Sequence, residues 1–286
     1  MTEFSSMKDR ICLITGANSG IGRETALALA RMGARVVMVC RDETKGREAR
    51  QDIETRSANS AVDLMLADLG SMEQVRRLAE SFKARYGALH VLINNAGLIL
   101  GKRSVTADGH ETTFAVNHLA PFLLTHLLLD TLQTSAPARI INVASVVHLG
   151  ARINFDDLFQ ENNYQPMGAY RQSKLANILF TYRLADLLKN TRVTVNSLHP
   201  GIVATNFGNK GSRLYQFFKP FIKPFFINRQ KGAETLIYLA SSPEVANTTG
   251  QYFVKKKSSR SSKISYDVET QNRLWDISAR LTQLNG

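Results

Sequence analysis

Tyr170 and Lys174 stand four residues apart in the stretch YRQSK, so on a helix they share one face, a single turn apart. A phenol with a pKa near ~10 is a poor acid–base group at neutral pH. A neighbouring ammonium stabilises the phenolate and lowers that pKa, which turns the pair into a general acid–base device. Ser145, directly after the apolar run RIINVA, offers a hydroxyl that can bond a substrate oxygen while charge develops on it. Asn117 falls mid-helix in FAVNHLAPF, where a buried amide needs partners. A Tyr-x-x-x-Lys pair alone carries little weight, because ordinary helices contain many. Combined with Ser145, Asn117 and the glycine turn described next, it becomes specific.

The stretch Thr15-Gly16-Ala17-Asn18-Ser19-Gly20-Ile21-Gly22 joins an apolar run to a helical pattern. Its spacing is G-x-x-x-G-x-G rather than the general G-x-G-x-x-G. Glycines here let the backbone turn tightly and approach a pyrophosphate, which the free N–H groups and positive end of the following helix then hold. The candidate contacts are Gly16, Asn18, Ser19, Gly20, Ile21 and Gly22. A glycine cluster by itself can be only a strand-to-helix turn; its place after the first strand argues for a nucleotide. The second apolar run ends at Cys40, followed by Arg41. An acidic residue there would bind the ribose 2′-OH and favour NAD. A thiol followed by a guanidinium suits a 2′-phosphate, so NADP(H) is expected and NAD(H) is less favoured. The alternative for Arg41 is a solvated strand-end arginine.

These residues need elements to position them. Apolar runs predict strands at Arg10–Thr15, Arg35–Cys40, Ala61–Ala67, Leu89–Asn94, Ala138–Ala144, Arg192–Leu198 and Gln251–Val254. Helical patterns lie between them at Ile21–Met32, Thr44–Ser57, Ser71–Tyr86, Asp108–Leu132 and Gly168–Asn190. Runs such as ICLIT, VVMVC and VLIN are nearly continuous, as strands covered on both faces should be. The expected fold class is α/β: a Rossmann-type, doubly wound parallel sheet of about seven strands in a single domain spanning residues 1–286. In such sheets ligands bind outside the carboxyl ends of the strands, where the glycine turn, NNAG, Ser145 and the YRQSK helix would meet. No repeat and no long linker is visible.

The combination resembles a short-chain dehydrogenase/reductase from about Lys8 to Gln251, through TGANSGIG, NNAG, Asn117, Ser145, YRQSK and HPGIVAT. Within that family the phrases ITGANSGIGRETA, CRDETKGREA, INNAGLIL, TADGHETTFAVNHLAPFLLT, YRQSKLANILF and RLWDIS resemble the NADP-preferring retinol dehydrogenase-like branch. The resemblance implies an NADP-dependent alcohol dehydrogenase or carbonyl reductase with an Asn–Ser–Tyr–Lys set. Tyr170 would exchange a proton with the carbonyl or alcohol oxygen. Lys174 would bind the nicotinamide ribose and lower the Tyr170 pKa. Ser145 would orient the substrate oxygen, and Asn117 would hold a relay water. Asp68 would contact the adenine, with Leu69 beside it, and Asn95, Ala96 and Gly97 would support the cofactor crevice. Pro200, Gly201, Val203 and Thr205 would lie along the nicotinamide. The implied substrate is a small apolar aldehyde, ketone or alcohol, retinal-like or another lipid aldehyde. The competing class is a non-catalytic NADP-binding sensor or scaffold, which would have no need of Tyr170 or Ser145.

The remaining features bound this reading. An excess of 36 Lys and Arg over 24 Asp and Glu gives +12, yet no zinc-finger, helix-turn-helix or RNA-binding signature accompanies it, so no specific nucleic acid is expected. The histidines His90, His110, His118, His126, His148 and His199 have no metal-ligand spacing, and no metal is expected. His148, three residues past Ser145, is either a substrate contact or a pocket-rim or surface residue. Cys12 and Cys40 read as small buried apolar residues rather than a redox pair. MTEFSSMKDR carries no signal-peptide apolar stretch, and LAPFLLTHLLL is too short to span a bilayer. A cytoplasmic protein is expected; peripheral membrane contact and homo-oligomer formation stay open. Arg213–Lys231, with Phe217 and Phe221 among its rings, reads as a substrate lid (about 203–231), an interfacial segment or core. Phe207, Phe217 and Phe221 join Ser145 and His148 as candidate substrate contacts. Lys255–Lys263 reads as a basic loop, and a C-terminal helix is expected at about 267–284.

Overall fold

The apolar runs form a sheet whose two faces feed two separate cores. The computed structural model describes residues 6–201 and 228–284. Its strands are β1 (Ile11–Thr15), β2 (Arg35–Cys40), β3 (Val62–Leu66), β4 (Val91–Asn94), β5 (Ala138–Val143), β6 (Val193–His199), β7 (Gln251–Val254) and β8 (Lys257–Ser259). They lie in the order β3-β2-β1-β4-β5-β6-β7-β8. Every pair from β3 to β7 is parallel, and β8 runs antiparallel to β7. The order reverses between β1 and β4, which puts the topological switch point at the glycine turn.

Leu13 packs to one face while Cys12 and Ile14 pack to the other, the period-two alternation of a strand buried on both sides. One face is covered by α1 (Gly20–Arg31), α2 (Glu43–Ser57) and α7 (Arg229–Ser241). The other is covered by α3 (Met72–Arg85), α4, α6 (Pro166–Leu187) and α8 (Val268–Leu281). Here α4 is the continuous run of Thr112–Phe114, a π turn at Ala115–Leu119, and Ala120–Leu127; α5 (Leu129–Thr134) follows it.

Three elements differ from the sequence expectation. The basic stretch after β7 is a hairpin rather than a loop. Lys255 and Lys256 both adopt left-handed conformations, φ 51° and 64°, and the eighth strand returns along β7. The pattern at Asp108–Leu132 starts later than expected, because the Glu111 carboxylate caps the N–H groups of Thr113 and Phe114 and begins the helix there, and it is interrupted at Leu128. Residues 229–231, the end of the expected lid segment, are instead the first turn of α7, capped by Asn228. The rest of that segment lies outside the described residues. The C-terminal helix runs over Val268–Leu281, with Asp267 as its N-cap.

Cys12 is paired in register with Val36, and both cysteines are free and buried; burial pushes the Cys12 thiol up to about 12. No helix among the described residues is long and apolar enough to cross a membrane.

Candidate active site

The glycine turn follows β1 because its residues do what side chains would prevent. Gly16 (φ +67°) and Gly20 (φ +60°) occupy the left-handed region. A Cβ on Gly22 would come within 2.5 Å of both the Gly16 carbonyl oxygen and Asn95 Nδ2, so helix and turn can approach this closely only at glycine. The Gly16 N–H donates to the Val39 carbonyl at 2.8 Å, which ties the turn to β2. Asn95 locks it from β4: its Nδ2 donates to the carbonyls of Thr15 (2.7 Å) and Gly16 (3.3 Å). The Asn95 and Ala96 N–H groups both donate to Thr15 Oγ1 at 3.0 Å. Ser19 precedes α1 without a side-chain cap bond among the described residues, and the first turn carries no acidic group. The positive helix end therefore faces the crevice without a carboxylate of its own. Asn18 and Ile21 are half-buried there and Ser19 is exposed.

At the end of β2, Arg41 is 72% exposed and sits 3.6 Å from Asp68, across the same crevice mouth. Asp68 Oδ1 also accepts the Gly70 N–H at 2.9 Å. Leu69 points away into the core.

The Tyr-x-x-x-Lys pair lies on α6 as the spacing predicts. Lys174 is buried, donates from Nζ to the Val143 carbonyl at 2.9 Å, and lies 5.5 Å from the centre of the Tyr170 ring. Burial lowers its pKa to about 8. Tyr170 is half-buried. Burial pushes its phenol above the ordinary value, and a hydrogen bond with the Ser145 side chain opposes that rise. Ser145 follows β5 at 8% exposure and caps the short turn Val146–His148, its Oγ accepting the Val147 N–H at 3.5 Å.

Asn117 sits in the π turn of α4, an irregularity common at functional sites. Its Oδ1 accepts the Leu98 N–H (2.8 Å), and its Nδ2 donates to the Leu98 carbonyl (2.9 Å) and to Ser173 Oγ (3.0 Å). A Cβ on Gly97 would lie 3.3 Å from both Asn117 Oδ1 and Lys174 Nζ, so Gly97 is where these two groups converge. Pro200 and Gly201 (φ +92°) follow β6. Val203, Thr205, Phe207, Phe217 and Phe221 lie outside the described residues.

His148 differs from both readings made of it. It is fully buried, with Nδ1 2.6 Å from the Ser145 carbonyl and Nε2 accepting the Ser262 N–H at 3.1 Å. With both nitrogens engaged it neither lines a rim nor presents a polar edge to substrate; it sits behind Ser145.

A buried polar network behind the site was not anticipated. Asn94 and Asn142, register partners on β4 and β5, are bonded at 2.8 Å, and Asn142 continues to Thr181 at 2.9 Å. Asn177 donates to the same Val143 carbonyl as Lys174 (3.3 Å) and lies 3.4 Å from His118 Nδ1. His118 Nε2 reaches Ser278 on α8 at 2.9 Å. The available signal was an asparagine closing each of the apolar runs VLIN and RIIN. Among the described residues, no three His, Cys, Asp or Glu side chains are grouped to hold a metal ion.

A parallel sheet with its switch point at a glycine turn, and a Tyr–Lys–Ser–Asn set at its strand ends, defines a dinucleotide-dependent type of enzyme. Comparison with known proteins makes this specific. The family model described as short chain dehydrogenase matches residues 10–213. Retinol dehydrogenase 12 of Mus musculus is 43% identical over 272 residues, covering 95% of this chain and 86% of that protein. Retinol dehydrogenase 14 of Homo sapiens is 44% identical over 289 residues, with the same coverage of 95% and 86%. A crystal structure of an uncharacterized protein from Mycobacterium paratuberculosis superposes with a TM-score of 0.80 at 32% identity, covering 98% of this chain and 96% of its own. The Pseudomonas aeruginosa RhlG/NADP active-site complex matches with a TM-score of 0.69 at 27% identity, covering 88% and 97%. The chain belongs to the short-chain dehydrogenase family, in its retinol dehydrogenase-like branch, and is an oxidoreductase that uses a nicotinamide cofactor.

Proposed function

We propose that the chain carries hydride between NADP(H) and an apolar aldehyde or ketone, or the corresponding alcohol, with Tyr170 as the acid–base. The observation that carries this reading is the hydrogen bond between Ser145 and Tyr170 at the strand ends, one helical turn from Lys174.

The residues present fit the cofactor. The α1 N-terminus has no acidic residue in its first turn, Gly16 and Gly20 take left-handed turns, and Gly22 lets the turn and helix approach more closely than a Cβ would allow. Asn18, Ser19, Gly20, Ile21 and Gly22 would hold the pyrophosphate through backbone N–H groups and the helix dipole, while Gly16, whose N–H donates to the Val39 carbonyl, shapes the turn. Arg41 would pair with a 2′-phosphate, and Asp68 with the adenosine end. Asn95, Ala96, Gly97, Lys174, Pro200 and Gly201 would line the nicotinamide ribose end. When bound, the cofactor supplies or accepts the hydride at the substrate carbon.

In the reductive direction the Tyr170 phenol donates its proton to the carbonyl oxygen as that oxygen becomes an alkoxide. A phenol held above its ordinary pKa is protonated at neutral pH and ready for this step. Ser145 donates a hydrogen bond to the same oxygen and stabilises the developing charge. Lys174, with a pKa near 8, is cationic over much of the neutral range and replenishes the phenol, while Asn117 keeps the adjoining loop in register. In the oxidative direction the same groups act in reverse. Relatives named retinol dehydrogenases support a long apolar alcohol or aldehyde as substrate. Two unpaired thiols support a reducing, cytoplasmic compartment.

The test is NADPH consumption with a graded series of aldehydes, retinal included, compared with Tyr170→Phe. The variant is expected to lose ~10²–10⁴-fold in kcat, the usual contribution of a general acid–base, while NADPH affinity stays within about twofold. Retention of most of kcat removes Tyr170 from the mechanism. NADPH binding by the wild type without turnover of any aldehyde supports the sensor or scaffold class instead.

A further inference from the structure

His148 is a buried imidazole that the proton-transfer scheme does not use, and its surroundings leave it one protonation state. The Ser262 backbone N–H can only donate, so His148 Nε2 must be a bare acceptor at 3.1 Å. The single proton then sits on Nδ1 and points at the Ser145 carbonyl 2.6 Å away. That carbonyl also accepts the His148 backbone N–H at 3.2 Å, so the residue holds Ser145 twice. The ring is fully buried and meets Tyr252 edge-on at 5.0 Å. Burial keeps the imidazole below its ordinary pKa and therefore neutral.

The far end of the linkage is anchored as firmly. Ser261, next to Ser262, bonds Tyr182 at 2.7 Å and Ser265 at 2.6 Å through its hydroxyl, and its N–H donates to Tyr266 at 3.2 Å. Tyr182 lies on α6, the helix that also carries Tyr170 and Lys174. The contacts close a ring from Tyr170 to Ser145, to His148, to Ser262 and Ser261, to Tyr182, and back along α6. Along α6 the ring is rigid helix; at Ser145 it is a short turn with an extended backbone, φ −160° and ψ 153°.

We propose that His148 is a positioning residue: by holding the Ser145 carbonyl in the Nδ1–H tautomer that Ser262 imposes, it sets where the Ser145 hydroxyl stands relative to Tyr170. This rests on the reading of Ser145 and Tyr170 given above. A hydroxyl displaced by about 1 Å loses most of its effect on a developing oxyanion, whereas the cofactor crevice on the other side of the switch point is untouched.

The experiment combines His148→Phe, which keeps a ring and removes both bonds, with His148→Asn, whose amide can still donate near the Nδ1 position. Each is made in the wild type and in Ser145→Ala, with kcat, KM, NADPH affinity and melting temperature measured. His148→Phe is expected to lower kcat about ten- to a hundredfold with NADPH affinity within about twofold. His148→Asn should recover most of that loss. In the Ser145→Ala background His148→Phe should cost little more, because the two act as one unit. A full additional loss in that background, an Asn variant no better than Phe, or an unchanged kcat overturns the proposal. Should His148→Phe fail to fold, the ¹⁵N shifts of His148 in the wild type decide: Nδ1–H is expected at neutral pH, and an Nε2–H or doubly protonated ring overturns it. If Tyr170→Phe retains activity, the function reading fails while the tautomer result stands on its own.

Discussion

The two halves of the site are held together by different means. The glycine turn between β1 and α1 is built from backbone: small residues, left-handed dihedrals, a carbonyl of β2 and the Asn95 amide clamp. The region around α4 and α6 is built from buried polar side chains, several of them bonded to partners distant in sequence, as with His118 and Ser278 or Asn142 and Thr181. A backbone-made site fails when volume is added. A side-chain-made site fails when a partner is removed or protonated, because a buried polar group without its partner costs about 1–3 kcal/mol.

Protonation should expose that difference most strongly. Burial lowers the His118 pKa to about 4, against about 6.5 for an unfolded histidine. Below pH 6.5 the unfolded chain takes up a proton that the folded chain refuses. The stability contribution is therefore full above about 6.5 and lost as pH falls toward 4, by about 3 kcal/mol for this residue. Urea unfolding at pH 7 and pH 4.5 should show the wild type losing about that much more than His118→Gln. Equal pH slopes would mean that His118 is not held neutral. His90, His126, His148 and His199 are lowered too, so only the difference between the two proteins isolates His118.

Added volume should break the other half. Gly22→Ala forces a Cβ to within 2.5 Å of a backbone carbonyl and of the Asn95 amide, an overpacking cost of about 1–3 kcal/mol. A fall in melting temperature together with weaker NADPH binding is expected, independent of pH between 5 and 8. Gly87→Ala, where a Cβ meets nothing within 4 Å, is the control and should change neither. A Gly22→Ala protein that binds NADPH like the wild type would show that the turn is not the pyrophosphate site.

The smallest effect belongs to the exposed edge of the glycine half. Arg41 faces Asp68 at 3.6 Å in the open, a pair worth about 0–1 kcal/mol to folding, so Arg41→Ala should leave stability unchanged. Its expected effect is on cofactor choice. The wild type should favour NADPH over NADH at least tenfold in kcat/KM, ~1.4 kcal/mol, and the variant should lose most of that preference. Equal kcat/KM for both cofactors in the wild type would leave Arg41 as a solvated strand end.

What sequence alone determined was whatever depends on local pattern. Continuous apolar runs separated by amphipathic stretches specify a parallel sheet covered on both faces, and the glycine turn is legible because left-handed dihedrals and close approach demand glycine at fixed spacing. The helical face shared by Tyr170 and Lys174 followed from 3.6 residues per turn. The eighth strand was not legible, because Lys-Lys lacks the Asn-Gly chemistry of a tight hairpin and β8 pairs only by returning along β7. The π turn that aims Asn117 inward leaves no mark in residue type. Tertiary structure also decided the role of His148. From spacing it stands near Ser145 and free to face a substrate; only folding brings Ser262, 114 residues later, to its far nitrogen and turns the ring into a strut. The same holds for the protonation of Tyr170 and Lys174: a sequence shows that an ammonium lies one turn from a phenol, but the desolvation that raises one pKa and lowers the other depends on which atoms surround them once the sheet and helices have closed.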